Sequence, residues 1–137
     1  MPLPAVSVVM PVYNGAEFLE ESIQSILEQT FDDFELIIIN DGSTDHSASV
    51  INSFKDKRIV TRHYKINQGN YKTRNIGMSM AKGKYICVMD SDDIAYPHRI
   101  QTQFDFMEKE NSVGVCGSDI EMFGRINMIF KRIKSLV

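Results

Sequence analysis

An apolar run from Tyr85 to Met89, with Lys84 ahead of it, leads without a spacer into Asp90, Ser91, Asp92 and Asp93. Tyr, Ile, Cys, Val and Met in succession describe a β-strand buried on both faces. Three carboxylates within four residues repel one another, so a fold that gathers them there supplies a compensating cation. With oxygen ligands and no neighbouring His or Cys, a hard ion is expected, Mg²⁺ or Mn²⁺, on Asp90, Asp92 and Asp93. Taken alone, the same residues also describe a solvated acidic turn that closes a strand. The rest of the chain decides between these.

In order, the chain alternates strand and helix. Ala5 to Met10 is a short apolar strand ended by Pro11, Val12, Tyr13, Asn14 and Gly15, where Pro and Asn-Gly force a turn. Asn14, with Glu17 three residues on, is placed to cap the following helix. That helix carries Phe18, Leu19, Ile23, Ile26 and Leu27 as one apolar stripe. Phe34 to Ile39 is a second strand, ending on Asn40, Asp41, Gly42 and Ser43. A helix with Ala48, Ile51 and Phe54 inward follows, with Asp45 near its positive end. Ile59 to Tyr64 is a weaker, edge-like strand, and a polar turn from Asn67 to Asn70 precedes a helix bearing Arg74, Ile76 and Met80. Beyond the acidic run, Pro97 suits the first turn of a helix with Ile100, Phe104 and Met107, and Val113 to Cys116 reads as a fifth strand.

This alternation indicates right-handed crossovers and a mainly parallel α/β sheet with helices on both faces. Ligands of such sheets lie at the carboxyl ends of the strands. Here those ends present Pro11, Tyr13 and Asn14, then Asp41, then Asp90 to Asp93, so polar groups converge on one rim while the strands behind them are apolar. An aromatic, an isolated carboxylate, an acidic cluster and a nearby Arg74 suit a nucleoside diphosphate. Neither GxGxxG nor GxxxxGK[ST] occurs, so phosphate must be held through metal and side chains.

At 137 residues the chain is long enough for one well-packed domain, and its net charge of −3 argues against a nucleic-acid surface. Cys87 and Cys116 both lie in apolar runs and read as buried thiols of a reducing compartment. The N-terminal apolar run lacks a basic leader, and no stretch reaches membrane-spanning length, so the expected location is cytoplasmic, with peripheral contact at the inner face of the membrane as the other option.

Four blocks, VSVVMPVYNG (Val6 to Gly15), FELIIINDGSTD (Phe34 to Asp45), NQGNYKTRNIG (Asn67 to Gly77) and YICVMDSDD (Tyr85 to Asp93), resemble in order the nucleotide-binding half of a family 2 glycosyltransferase with the GT-A fold. YPHRI (Tyr96 to Ile100) fits as well, and the match covers about residues 5–119. A single DxD motif is weak evidence, whereas four ordered blocks are specific. The resemblance implies a Rossmann-like, nucleotide-sugar-binding domain over 1–119 and inverting transfer from a donor, a UDP-sugar, to a saccharide or lipid-linked acceptor in cell-envelope polysaccharide synthesis. It also implies that Pro11, Tyr13, Asn14, Asp41, Arg74, Asp90 and Ser91 hold the nucleotide-sugar. Tyr13 would pack on the base, Asp41 would recognise the uracil or ribose, and Arg74 would lie near base and phosphate. Asp90 and Asp92 match the DxD motif, with Asp93 adjacent as a metal candidate.

The chain departs from that pattern after the fourth block. It ends 45 residues beyond Asp92, and past the helix that carries Asp105, Glu108 and Glu110 the acids are Asp119 and Glu121, so neither the acceptor half nor its general base is identified. A non-catalytic nucleotide-sugar-binding module is therefore the alternative function. In the tail, 120–137, Ile126, Ile129, Phe130, Ile133 and Leu136 recur at three- and four-residue spacing beside Arg125, Lys131, Arg132 and Lys134. This describes a basic amphipathic helix, expected to fold back or pair with a second copy in preference to lying on a membrane.

Overall fold

Every residue of β1 (Val6–Val12) and β2 (Phe34–Asp41) is buried. They form the interior of a parallel sheet ordered β3-β2-β1-β4, with β3 at Ile59–Tyr64 and β4 at Tyr85–Val88. The computed structural model describes residues 3–123 and 128–130 and divides into two units after Gln101. The first contains this sheet with helices α1 (Ala16–Leu27), α2 (Ser47–Ser53) and α3 (Asn70–Met80). The second contains most of α4 (Arg99–Lys109) and a short antiparallel pair, β5 (Ile120–Met122) with β6 (Met128–Phe130).

The chain steps outward from β1 to β2 to β3, then returns to place β4 on the far side of β1. Right-handed crossovers therefore put α1 and α2 on one face and α3 on the other. Val9, Ile37 and Ile39 form the core on the α3 side, packed by Ile76, Met78 and Met80. The pleat turns Val8, Met10, Leu36 and Ile38 to the opposite face, where Leu19, Ile23 and Ile26 of α1 are completely buried. Each such side chain contributes about 1.5–3 kcal/mol by leaving water. On the α3 side the helix lies so close to β1 that a Cβ at Gly77 would collide with Val9 Cγ1. Below it, the buried Ser7 hydroxyl donates to Glu35 Oε1 at 2.6 Å, and these two accept the Lys82 and Gly83 amides. That polar knot fixes the entry of β4 beside β1.

Pro11 sets where the two strands part. Ala5 O accepts from Tyr85 N at 3.1 Å and Val9 O from Met89 N at 3.0 Å, so the odd residues of β1 turn their main-chain groups toward β4. Pro11 is the next odd residue and has no N–H to continue that ladder. β4 separates there, and Asp90 to Asp93 turn away.

Several expectations change. β4 is not covered on both faces, since Ile86 is 47% exposed, and it also lies at the edge of the four-stranded sheet. The apolar run reads as doubly buried because residue type carries no information about what packs over each face of a strand. Residues 113–116 form irregular chain with a bend at Gly114 instead of a strand. Within the tail, 120–122 and 128–130 pair as strands where a helix was expected, and the other residues of that stripe lie outside the described ones. Local three- and four-residue spacing competes there with cross-strand pairing, and pairing prevails. Cys87 and Cys116 are not joined by a disulfide and are half-buried. Among the described residues, no helix is long and apolar enough to cross a membrane.

The cap of α1 also differs. Gly15 occupies the cap position with no side-chain bond of its own, and Asn14 adopts a left-handed φ of 50°. The open amides are taken by the β2–α2 loop: Asn14 N donates to Ser43 Oγ, Gly15 N to Ser47 Oγ and Ala16 N to Asp45 Oδ2, each at 3.0 Å. Asp45 Oδ1 accepts from Ser47 N at 2.9 Å, so one carboxylate ties the starts of two helices together. Burial pushes the Asp45 carboxyl up, but the Ser47 hydroxyl and the Ala16 and Ser47 amides outweigh it and hold the group below the ordinary 3.8. We expect Asp45→Ala to cost about 1 kcal/mol, as for the loss of a helix cap. Because the folded-state value is lowered, that contribution is present above pH 3.8 and lost as pH falls through the lowered value. Urea titrations of both chains from pH 7 to pH 2.5 should converge in acid; a pH-independent difference would rule out the carboxylate as the cap.

Candidate functional site

At the carboxyl ends of the strands lies a cavity of about 390 Å³. β1 contributes Pro11, Val12 and the following Tyr13, β2 contributes Asp41, and the α3 side contributes Asn67, Asn70 and Thr73. The wall beyond β4 is Asp90, Ser91 and Asp92. The cavity thus sits where β1 and β4 diverge, the point at which strand order reverses.

Asp41 is 2% exposed, and each of its oxygens accepts one main-chain amide: Gln68 N at 2.8 Å and Gly69 N at 3.0 Å. The carboxylate shapes the loop that starts α3, and Asn67 Oδ1 adds a bond to Gly69 N at 2.8 Å. Each carboxylate oxygen keeps acceptor capacity for a donor from the cavity. Gly42, at φ 70°, allows this loop to approach: a Cβ there would lie 2.6 Å from Asn67 N.

The acidic turn is held from behind by α1. Ser22 Oγ donates to Ser91 O at 2.9 Å, Ser25 Oγ accepts from Ala95 N at 3.0 Å, and Gln29 Nε2 donates to Tyr96 O at 2.8 Å. Gln29 Oε1 accepts from Ile100 N at 3.0 Å, and Thr30 N donates to Pro97 O at 2.9 Å. Ser22 and Ser25 lie three residues apart on one side of α1, and Gln29 follows just past the helix end. This polar seam escaped the sequence reading because Ser and Gln beside an apolar stripe usually face water.

Arg74 reaches across from α3 and donates through Nη2 to Asp90 Oδ1 at 2.5 Å. Its Nε is buried and has no hydrogen-bond partner among the described residues, as is the Thr73 hydroxyl. Partial burial, then repulsion from Asp92 and Asp90, push the Asp93 carboxyl above its ordinary range, and Arg99 opposes them.

Of the residues anticipated from the sequence, the fold brings Pro11, Tyr13, Asp41, Asp90, Ser91 and Asp92 to one cavity. Tyr13 is 53% exposed at its lip. Asn14 is drawn elsewhere: its Oδ1 accepts from Thr44 N at 2.8 Å. Arg74 meets the site through Asp90, and Asp93 is not part of the lining. Thr73 and Asn70 join the wall without having been singled out. The general signal for them was their place in the first turn of α3, directly after the Asp41-bound loop.

Among the described residues, no three His, Cys, Asp or Glu side chains gather to hold a metal ion by themselves. Asp90 and Asp92 share the cavity and offer only oxygen donors. One or two carboxylates completed by phosphate oxygens is the usual arrangement for Mg²⁺, so the residues present fit a hard cation that arrives with a phosphorylated ligand.

The sequence matches the family described as "Glycosyl transferase family 2" over residues 7–132. An uncharacterised glycosyltransferase of Haemophilus influenzae is 41% identical over 120 residues, covering 86% of this chain and 48% of its own length. Among solved structures, S. aureus TarS 1-349 in complex with UDP superposes with a TM-score of 0.73 at 25% identity, covering 77% of this chain and 32% of that one. A mannosyltransferase from Pyrobaculum calidifontis, in complex with GDP-Man and Mn²⁺, gives 0.69 at 22% identity over 89% of this chain and 37% of its own. The chain thus spans about half or less of the lengths of these proteins.

Asp41→Ala should leave the Gln68 and Gly69 amides without their acceptors and cost about 1.5–3 kcal/mol, the range for a bond to a charged group. Amide hydrogen exchange should then accelerate at Gln68 and Gly69 while the β1 and β2 amides stay protected. Unchanged exchange at these two positions would show that Asp41 does not hold the loop.

Proposed function

Because the chain belongs to glycosyl transferase family 2 and has the fold of the nucleotide-binding part of GT-A glycosyltransferases, we propose that its cavity binds the nucleoside diphosphate of a sugar donor, a UDP-sugar, for inverting transfer to a hydroxyl of a saccharide or lipid-linked acceptor. The observation that carries this reading is the pairing of walls across the strand-divergence point. A buried carboxylate, Asp41, stands on one side and Asp90, Ser91 and Asp92 on the other, with Tyr13 at the lip. The span suits a base at the Asp41 end and a diphosphate at the acidic end.

In this reading Asp41 accepts from a base N–H or ribose hydroxyl while remaining fixed by the Gln68 and Gly69 amides. The Tyr13 ring, open at the lip, offers a face to the base. Asp90 faces the ribose and donor sugar, and Asp90 with Asp92 would hold Mn²⁺ or Mg²⁺ against the diphosphate. A divalent ion bound there supplies positive charge for the departing diphosphate. The α1 seam keeps the acidic turn in place, so little ordering remains to be done when ligand arrives. TarS, with the same fold, has been solved with UDP and with UDP-GlcNAc, which supports a uridine donor.

A second reading is a nucleotide-sugar-binding module. What favours it is that the acids among the described lining residues, Asp41, Asp90 and Asp92, all have donor-side roles in this reading, leaving none of the described lining residues as the acceptor's general base. Transfer or donor hydrolysis by the purified chain separates the two readings.

UDP with Mn²⁺ should raise the melting temperature by several degrees, since ligand at 100 times Kd stabilises by about 2.7 kcal/mol. GDP and dTDP should give smaller shifts. Asp92→Ala should retain the fold and lose the Mn²⁺-dependent part of the UDP effect. The same response in that variant, or no response to any nucleoside diphosphate in the parent, would refute the proposal.

A further inference from the structure

Three facts about Arg74 belong together. Its Nη2 lies 2.5 Å from Asp90 Oδ1, so the first acid of the acidic turn already has a counter-ion. The contact uses one guanidinium nitrogen, and the buried Nε has no partner among the described residues. Both side chains retain solvent contact, at 33% exposure for Arg74 and 52% for Asp90. A single-pronged, half-exposed pair with an idle donor is a poor anchor for a helix. Nor does α3 need one, because it is seated by Gly77 against Val9 and its entry loop is held by Asp41. The guanidinium is better suited to being exchanged. Its planar fork matches diphosphate oxygens as well as a carboxylate, and Asp90 stands with Asp92 on the acidic wall of the cavity.

We infer that Arg74 couples cation and nucleotide binding: it neutralises Asp90 until a divalent cation competes for that carboxylate, and the displaced guanidinium then takes the diphosphate. This rests on the nucleotide reading of the cavity and adds to it a cooperativity that neither Asp90 nor Asp92 supplies alone. In thermodynamic terms, the Arg74–Asp90 contact weakens cation binding in the absence of nucleotide. Nucleotide relieves that penalty by giving the guanidinium another anion, so each ligand raises the affinity of the other by one common factor.

The test is a titration of Mn²⁺ into the full 137-residue chain, with free Mn²⁺ read by electron paramagnetic resonance, with and without UDP. Arg74→Gln should bind Mn²⁺ alone about threefold tighter than the parent, the scale set by an exposed ion pair. The increase in Mn²⁺ affinity on adding UDP should fall in that variant by up to the same factor, about threefold, because relief of the ion pair is all that Arg74 adds to the coupling. Lys72→Gln, which removes a charge from the same helix without touching Asp90, should leave both quantities near those of the parent. Arg74→Lys keeps the charge, should fold if Arg74→Gln does not, and should lose the UDP coupling while changing Mn²⁺ binding less. Mn²⁺ alone binding Arg74→Gln no tighter than it binds Lys72→Gln would overturn the inference. So would equal UDP coupling in the parent, Arg74→Gln and Arg74→Lys. If UDP has no effect on Mn²⁺ affinity in the parent, the nucleotide reading itself fails, and the coupling with it.

Discussion

A missing hydrogen-bond donor at Pro11 is the constraint on which the rest of the site depends. In a parallel sheet two neighbouring strands stay together as long as each offers its amides and carbonyls in turn. The odd residues of β1 serve β4 up to Val9, and Pro11 has no N–H to offer next. The strands part there, and the chain after β4 turns off as an acidic loop in place of another rung. On its other side β1 remains paired with β2 as far as Val12, opposite Asn40. The opening is therefore one-sided: a continuous β1–β2 floor carries Asp41, and the Asp90 loop hangs free of it across the cleft.

A gap of this kind would close or drift unless its walls were held from outside, and polar side chains do that from a distance in sequence. Asp41 fixes the loop before α3, Ser43, Ser47 and Asp45 fix the start of α1, and Ser22, Ser25 and Gln29 fix the loop after β4. Most of these bonds end on main-chain groups, which cannot be left unpaired when buried without a cost. They tie loop to helix and loop to loop, so the walls of the cavity are braced against one another. The strands bear the apolar load, and the loops are positioned by this polar bracing.

What was legible in the sequence follows the same division. β1 and β2 are buried along their whole length, so their apolar runs announce them, and the polar residues that end them mark the rim. Tyr13, Asp41, Asp90, Ser91 and Asp92 could be placed on the rim that lines the cavity for that reason. The four ordered blocks then named the family that the comparisons bear out. The bracing was not legible. Asn14 looks like a cap for the helix it precedes, yet its side chain bonds a residue 30 positions away. Ser22 and Gln29 look like the wet side of an amphipathic helix, yet both are buried. Such roles depend on which loop folds over a helix, and short-range spacing does not encode that. The same blindness produced the helix expected at 128–130, where a partner strand decides the conformation.

The contact between Gly77 and Val9 has a consequence for how this protein can vary. Three residues separate Gly77 from Arg74 and four from Thr73, so one turn of helix joins the tightest contact with the sheet to one wall of the cavity. A single added methyl would push that turn outward, since Val9 lies in a core with little room to yield. The displacement would be passed on to Arg74, Thr73 and Asn70 as a rigid offset, because a helix carries movement along its length better than it absorbs it. A change at a position that touches no ligand would thus register as a change in ligand affinity, in a protein that still folds. Mutational surveys scored only by activity would place Gly77 among the binding residues, although its role is to set a distance.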